Sequence, residues 1–194
     1  MTKSDTREAL IQAGTHIIAE QSFDTTGINA VLASAGVPKG SFYYYFPSKE
    51  DFGLAVIDRF AADYSQLLTG FLEDTQRKPL ARIRRYLESG MAKMDAKACS
   101  GGCPIGNLGQ ELASRNEAFR ARLDAVMRDW ERQFADCLAD AREAGELATD
   151  ADAHQLARTL LSGWEGAILR AKLMKSVAPM QDFIALWFGR ILRP

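Results

Sequence analysis

The sequence predicts an all-α fold, with an N-terminal three-helix domain containing a helix-turn-helix and a larger C-terminal helical domain. Three observations predict the helical class. Apolar residues recur at intervals of three and four along most of the chain, strict apolar–polar alternation is rare, and the 6 prolines and 15 glycines fall mainly between the periodic stretches.

The elements follow in order. A first helix starts after Ser4 or Asp5, where Asp5 and Glu8 have capping-box spacing, buries Leu10, Ile17 and Ile18, and ends before Phe23. A second runs from about Gly27 to Ala35 with Ile28, Val31, Leu32 and Ala35 inward, capped by Thr25 or Thr26 and broken by Gly36. Pro38 suits the first turn of a third helix that reaches about Phe46, and Pro47 stops it. Ser48, with Asp51 three residues on, caps a long fourth helix whose apolar stripe is Phe52, Val56, Phe60, Tyr64, Leu67 and Phe71. Further helices are predicted near 79–97, 105–114, 116–145, 152–175 and 180–192. The chain divides into a first domain of residues 1–47 and a second of residues 48–194.

Composition narrows the function by exclusion. The chain carries 24 basic and 25 acidic side chains, a net charge of −1, so global charge does not advertise nucleic acid. Locally it does: between Thr25 and Lys49 there is no acid, and Lys39 and Lys49 are the only charges. No run approaches the roughly 18 apolar residues of a membrane span, and the N-terminal MTKSDTREAL is too charged for a signal peptide, so a cytoplasmic location without membrane contact is expected. Three cysteines, Cys99, Cys103 and Cys137, argue against a disulfide framework. With His16 and His154 far apart, no metal site, cofactor or catalytic constellation is expected. His16 reads as a core or edge histidine and His154 as a surface one.

Two helices joined by a glycine turn allow the second to enter a major groove while the first braces it. Val31, Leu32 and Ala35 before the turn and Val37, Phe42 and Phe46 after it lock the pair, leaving Pro38, Lys39, Gly40, Ser41, Tyr43, Tyr44 and Tyr45 outward. Lys39 can meet a phosphate or a guanine edge, Gly40 lets the backbone approach the duplex, and Ser41 and the tyrosine hydroxyls can donate to phosphates. The tyrosine rings can touch thymine methyls or sugars, and Lys49 can reach a flanking phosphate. The alternatives are an aromatic clamp inside an ordinary bundle and a protein-interaction module.

The stretch from Thr26-Gly27-Ile28 through Gly36-Val37-Pro38-Lys39-Gly40-Ser41-Phe42-Tyr43-Tyr44-Tyr45-Phe46-Pro47-Ser48-Lys49 resembles the DNA-binding signature of TetR-type repressors over about 24 residues. The resemblance implies a homodimer on a palindromic double-stranded operator, DNA contacts at the outward residues above and at Thr26, and release by a small-molecule inducer. Leu32 stands where the family usually has a small alanine, which calls for repacking, and Gly27 where a hydroxyl is frequent.

In the second half, Leu156, Leu160, Leu161, Trp164 and Ile168, and then Phe183, Ile184, Trp187, Phe188, Ile191 and Leu192, make wide apolar stripes. With Gly163, Gly166 and Gly189 allowing close approach, they suit a four-helix dimer interface carried by Leu160, Trp164, Ile184, Trp187, Phe188 and Ile191; a core closed within one subunit is the alternative. The segment Cys99-Ser100-Gly101-Gly102-Cys103-Pro104-Ile105-Gly106-Asn107 is similar to the corresponding stretch of the subgroup that includes NemR and AcuR, and the similarity extends to Trp164-Glu165-Gly166-Ala167. Cys103, beside glycines and ahead of a helix, reads either as a sensor thiol with Cys99 as resolving partner or as a small residue of a pocket-lining turn. Trp164 belongs to the same sensing set.

Overall fold

The computed structural model of the chain describes residues 3–192. Among them it is all helical, with no strand: α1 Lys3–Glu20, α2 Ile28–Ser34, α3 Phe42–Tyr45, α4 Lys49–Leu72, α5 Pro79–Ala96, α6 Pro104–Leu112, α7 Glu117–Glu143, α8 Ala153–Met174 and α9 Ala178–Leu186, closed by a π-helical turn Trp187–Ile191.

The helix ends show where local chemistry departs from the sequence expectation. Helix α1 is already formed at Lys3, so Asp5 lies inside its first turn rather than at its cap, and Glu8 pairs with Arg59 of α4. Helix α2 starts from Gly27 in an extended conformation (φ −80°, ψ 138°) with no side-chain cap. Neither threonine caps it: Thr26 Oγ1 donates back to the Ser22 carbonyl at 2.7 Å, and the Thr25 hydroxyl lies 2.9 Å from that of Ser22. Gly36, at φ +65°, ends α2, and Val37 N–H returns to the Leu32 carbonyl at 2.9 Å, a six-to-one closure that a side chain at Gly36 would strain. Leu32, bulky where a small residue was expected, is fully accommodated and buried.

Helix α3 is much shorter than predicted. Gly40 adopts φ +92°, which an α-helix cannot contain, so residues 38–41 form a turn closed by Ser41 N–H on the Pro38 carbonyl (3.2 Å), and only Phe42–Tyr45 is helical. Ser48 and Asp51 behave as expected: Asp51 N–H donates to Ser48 Oγ at 3.0 Å while Ser48 Oγ donates to the Asp51 carboxylate at 2.7 Å.

Two compact units make up the chain. The first comprises residues up to Asp63 together with Pro104–Val126, and its core is Leu10, Ile18, Val31, Leu32, Phe42, Phe46, Phe52 and Val56. The second comprises Tyr64–Cys103 and the chain from Met127 onward, with Ile83, Leu87, Trp130, Phe134, Leu138, Trp164 and Trp187 buried. Within it α8 packs on α9, and α9 on α5. Gly163 makes the α8–α9 approach close, since a Cβ there would stand 2.4 Å from the Phe183 ring. Asp152 caps α8 by accepting from Gln155 N–H at 3.0 Å, and Pro79 opens α5.

Candidate functional site

In the first unit the aromatic residues divide cleanly between inside and outside. Phe42, Phe46 and Phe52 are buried and meet ring to ring at centroid distances of 5.1–5.6 Å, so the short α3 is pinned to α4 through its inner face. That leaves Tyr43 and Tyr44 outward at 64% and 66% exposure, fractions high enough for both hydroxyls and ring faces to meet a partner. Pro38, Lys39 and Gly40 are exposed, and Ser41 and Tyr45 half-buried. Lys39 therefore sits in a turn ahead of α3, not at a helix N-terminus as the longer helix implied.

Two residues of the predicted contact set are already engaged. Thr26 is buried and its hydroxyl is held by Ser22, so its side chain supports the loop before α2 rather than facing outward. Lys49 Nζ donates to the Asp24 carbonyl at 3.1 Å and lies 4.7 Å from the centre of the Phe23 ring. An ammonium has three donors, so this contact orients Lys49 without exhausting it.

In the second unit Cys103 does not stand beside simple apolar packing. Its thiol lies beside the Glu165 carboxyl, and the same neighbourhood holds the mutually hydrogen-bonded hydroxyls of Tyr64 and Tyr86, with the Trp164 indole next to Tyr86. Burial pushes the Glu165 carboxyl above its ordinary value, the Cys103 thiol opposing the shift only in part. Burial also raises both tyrosine hydroxyls, so they remain neutral. The Tyr64 ring lies tilted over Trp130 with centroids 4.3 Å apart, and Trp130 Nε1 is buried with no hydrogen-bond partner among the described residues. Tyr64 and Glu165 are half-buried.

All three cysteines are buried thiols. Cys99 follows Ala98 in a left-handed backbone segment (φ +54° and +48°), and burial pushes Cys137 up to about 12, which makes it inert. The sequence singled out Cys103, Cys99 and Trp164 but missed Tyr64, Tyr86 and Glu165 as a polar set. The available signal was a hydroxyl in the stripe of α4 and a carboxylate directly beside Trp164 in the stripe of α8, since buried polar groups require partners.

Four of the six predicted interface residues face inward. Leu160, Trp164, Ile184 and Trp187 are buried within the subunit, and Phe188 is half-buried with the Arg84 guanidinium 4.1 Å above its ring. The side chain of Ile191 lies outside the described residues. The stripes were wide because they close the subunit's own core. The outer faces of α8 and α9 instead expose Leu173 at 67%, Leu186 at 55%, Met174 at 51% and Leu169 at 37%. His16 is exposed and lies 3.8 Å from Glu20, not in the core, and His154 is exposed as expected. Among the described residues no group of three or more histidine, cysteine or acidic side chains is placed to hold a metal, and no helix is long and apolar enough to cross a membrane.

A glycine-turned helix pair presenting tyrosines, on an otherwise all-helical chain, defines a DNA-binding regulator of the helix-turn-helix class. Family models make the assignment specific. Residues 10–56 match the bacterial regulatory proteins of the tetR family, and residues 79–187 match the tetracyclin repressor-like C-terminal domain. The transcriptional regulator AcuR of Cereibacter sphaeroides is 41% identical over 186 residues, covering 94% of this chain and 83% of that protein. The HTH-type transcriptional repressor NemR of Escherichia coli (strain K12) is 33% identical over 184 residues, covering 95% and 92%. A crystal structure of regulatory protein TetR from Rhodobacter sphaeroides superposes with a TM-score of 0.86 at 39% identity, covering 93% of this chain and 96% of that one. The chain belongs to the TetR family and is a transcriptional regulator, not an enzyme.

Proposed function

We propose that this chain is a cytoplasmic, ligand-responsive repressor that binds a palindromic operator as a homodimer and is released by a small molecule. The observation that carries the reading is the outward presentation of Pro38, Lys39, Gly40, Tyr43 and Tyr44, with Ser41 and Tyr45 half-buried beside them, over a fully buried phenylalanine lock. Residues 1–47 read DNA and residues 48–194 regulate. The exposed leucines of α8 and α9 supply a self-complementary apolar face, which a monomer would leave in water. On a twofold dimer the two reading segments fall about 34–36 Å apart, one helical turn of DNA.

On this reading the inducer binds beside Cys103, Trp164, Tyr64, Tyr86 and Glu165, where a thiol, two hydroxyls and a half-buried carboxyl converge. A thiol-reactive inducer is a second reading, favoured by the Cys103 thiol lying beside the Glu165 carboxyl, a group able to accept the thiol proton when ionised. In that case sulfur bonds to the β-carbon of an enone and the proton ends on the α-carbon. The test is to select a duplex from a random pool, measure binding at several salt concentrations, and add methyl vinyl ketone to the parent and to Cys103→Ser. Sequence-specific binding that weakens steeply with salt supports the repressor reading, and binding indifferent to sequence overturns it. Release of the parent alone assigns the response to the thiol; release of both variants alike discards the adduct.

A further inference from the structure

The joint between α1 and α2 is gripped by a segment almost ninety residues away. Glu111, on α6, accepts the backbone N–H of Asp24 at 2.8 Å on one carboxylate oxygen and that of Phe23 at 3.1 Å on the other. The Asp24 carboxylate pairs with Arg115, and the Phe23 ring meets Phe119 edge-on at 5.0 Å. Asn116 and Arg122 continue the attachment to Glu50 and Asp58 of α4. All of these residues belong to one compact unit. Phe23 and Asp24 are loop residues whose N–H groups have no helical acceptor, and a carboxylate spanning two successive amides makes short charge-assisted bonds that fix the loop's direction. The held loop leads through Thr26, tied to Ser22, straight to the Gly27 cap of α2, and its Asp24 carbonyl also orients Lys49.

We propose that Glu111 is a positioning residue for operator recognition: by holding the Phe23 and Asp24 amides it sets the joint from which α2 and α3 depart, and so ties residues 104–126 of the regulatory region to the DNA-reading segment. It touches no DNA in this role. The sign of its effect is therefore diagnostic. Removing one negative charge from a DNA-binding unit should by itself strengthen binding slightly, whereas loss of the clamp weakens it.

The experiment uses the full chain and the tightest duplex selected from a random pool. Glu111→Gln keeps the volume and one acceptor oxygen; Glu117→Ala, which breaks only the neighbouring exposed pair with Arg120, is the control. Operator affinity is read by fluorescence anisotropy and the Phe23 and Asp24 amides by hydrogen exchange. The expected result for Glu111→Gln is affinity about tenfold weaker, exchange at the two amides at least about tenfold faster, and a salt slope unchanged because no phosphate contact is lost. Glu117→Ala should stay within about twofold of the parent. Parental or tighter binding by Glu111→Gln overturns the proposal, as do unchanged amides.

Discussion

Replacing Leu173 by aspartate should separate the subunits without unfolding them. Leu173 is 67% exposed on the outer face of α8, so its substitution removes little from the core of one chain. Fully burying a leucine is worth about 1.5–3 kcal/mol, and two-thirds of that, about 1–2 kcal/mol, is available when a partner covers the exposed part. A twofold interface contains the residue twice, giving about 2–4 kcal/mol, or a dimer dissociation constant raised by about 30- to 1000-fold. The carboxylate's desolvation adds to this. Sedimentation equilibrium across a dilution series measures the constant, and circular dichroism and thermal melting at high dilution check that each monomer is folded. A parent chain that is monomeric at micromolar concentration, or a Leu173→Asp chain that dimerises as tightly as the parent, would refute the placement of the interface on these outer faces.

Other predictions concern the reading segment, its support and the buried carboxyl. Lys39→Ala should leave stability within about 0.5 kcal/mol, because the side chain is exposed, and lower the salt slope of operator binding by about 0.9 per subunit if it neutralises one phosphate, as an affinity titration in potassium chloride will show. Phe52→Ala, which empties the place where Phe42 and Phe46 meet, should cost about 3–5 kcal/mol in denaturant unfolding of the first unit and abolish operator binding. Gly36→Ala, at φ +65°, should cost about 1–2 kcal/mol even though a Cβ there meets no atom within 4 Å, so a neutral result would mean that the turn relaxes. For Glu165 the folded state favours the protonated form. The stability this contributes is full below the ordinary glutamate value and is lost as pH rises through the raised folded value. Glu165→Gln should accordingly gain on the parent as pH climbs from about 4.5 in urea unfolding, and a gap that shrinks instead would show that the carboxyl is not desolvated.

Most of the helices were legible because their signals are local. The Ser48–Asp51 box, Pro79 at the start of α5, Gly36 after α2 and Asp152 before α8 each act within one turn, and the apolar period does the rest. What was misread depended on three dimensions. Pro38 and the periodic pattern favoured a full third helix, but Gly40 at φ +92° makes the first half a turn, a choice a glycine leaves open in sequence. Stripe width on α8 and the terminal helix showed that Trp164 and Trp187 are buried, not by which chain. The Lys39 to Tyr45 surface was readable because three successive tyrosines cannot all face inward. The Glu111 clamp and the Cys103–Glu165 contact join residues tens of positions apart, and no periodicity records such pairs.

Everything proposed for this protein requires the tyrosine-bearing segment to read a duplex. Tyr43→Ala and Tyr44→Ala, both at exposed positions, should melt within about 0.5 kcal/mol of the parent, yet bind the selected duplex about 10- to 100-fold more weakly by anisotropy at fixed salt, with altered base preference at the contacted positions. Two variants that stay folded and bind with parental affinity and preference would contradict it.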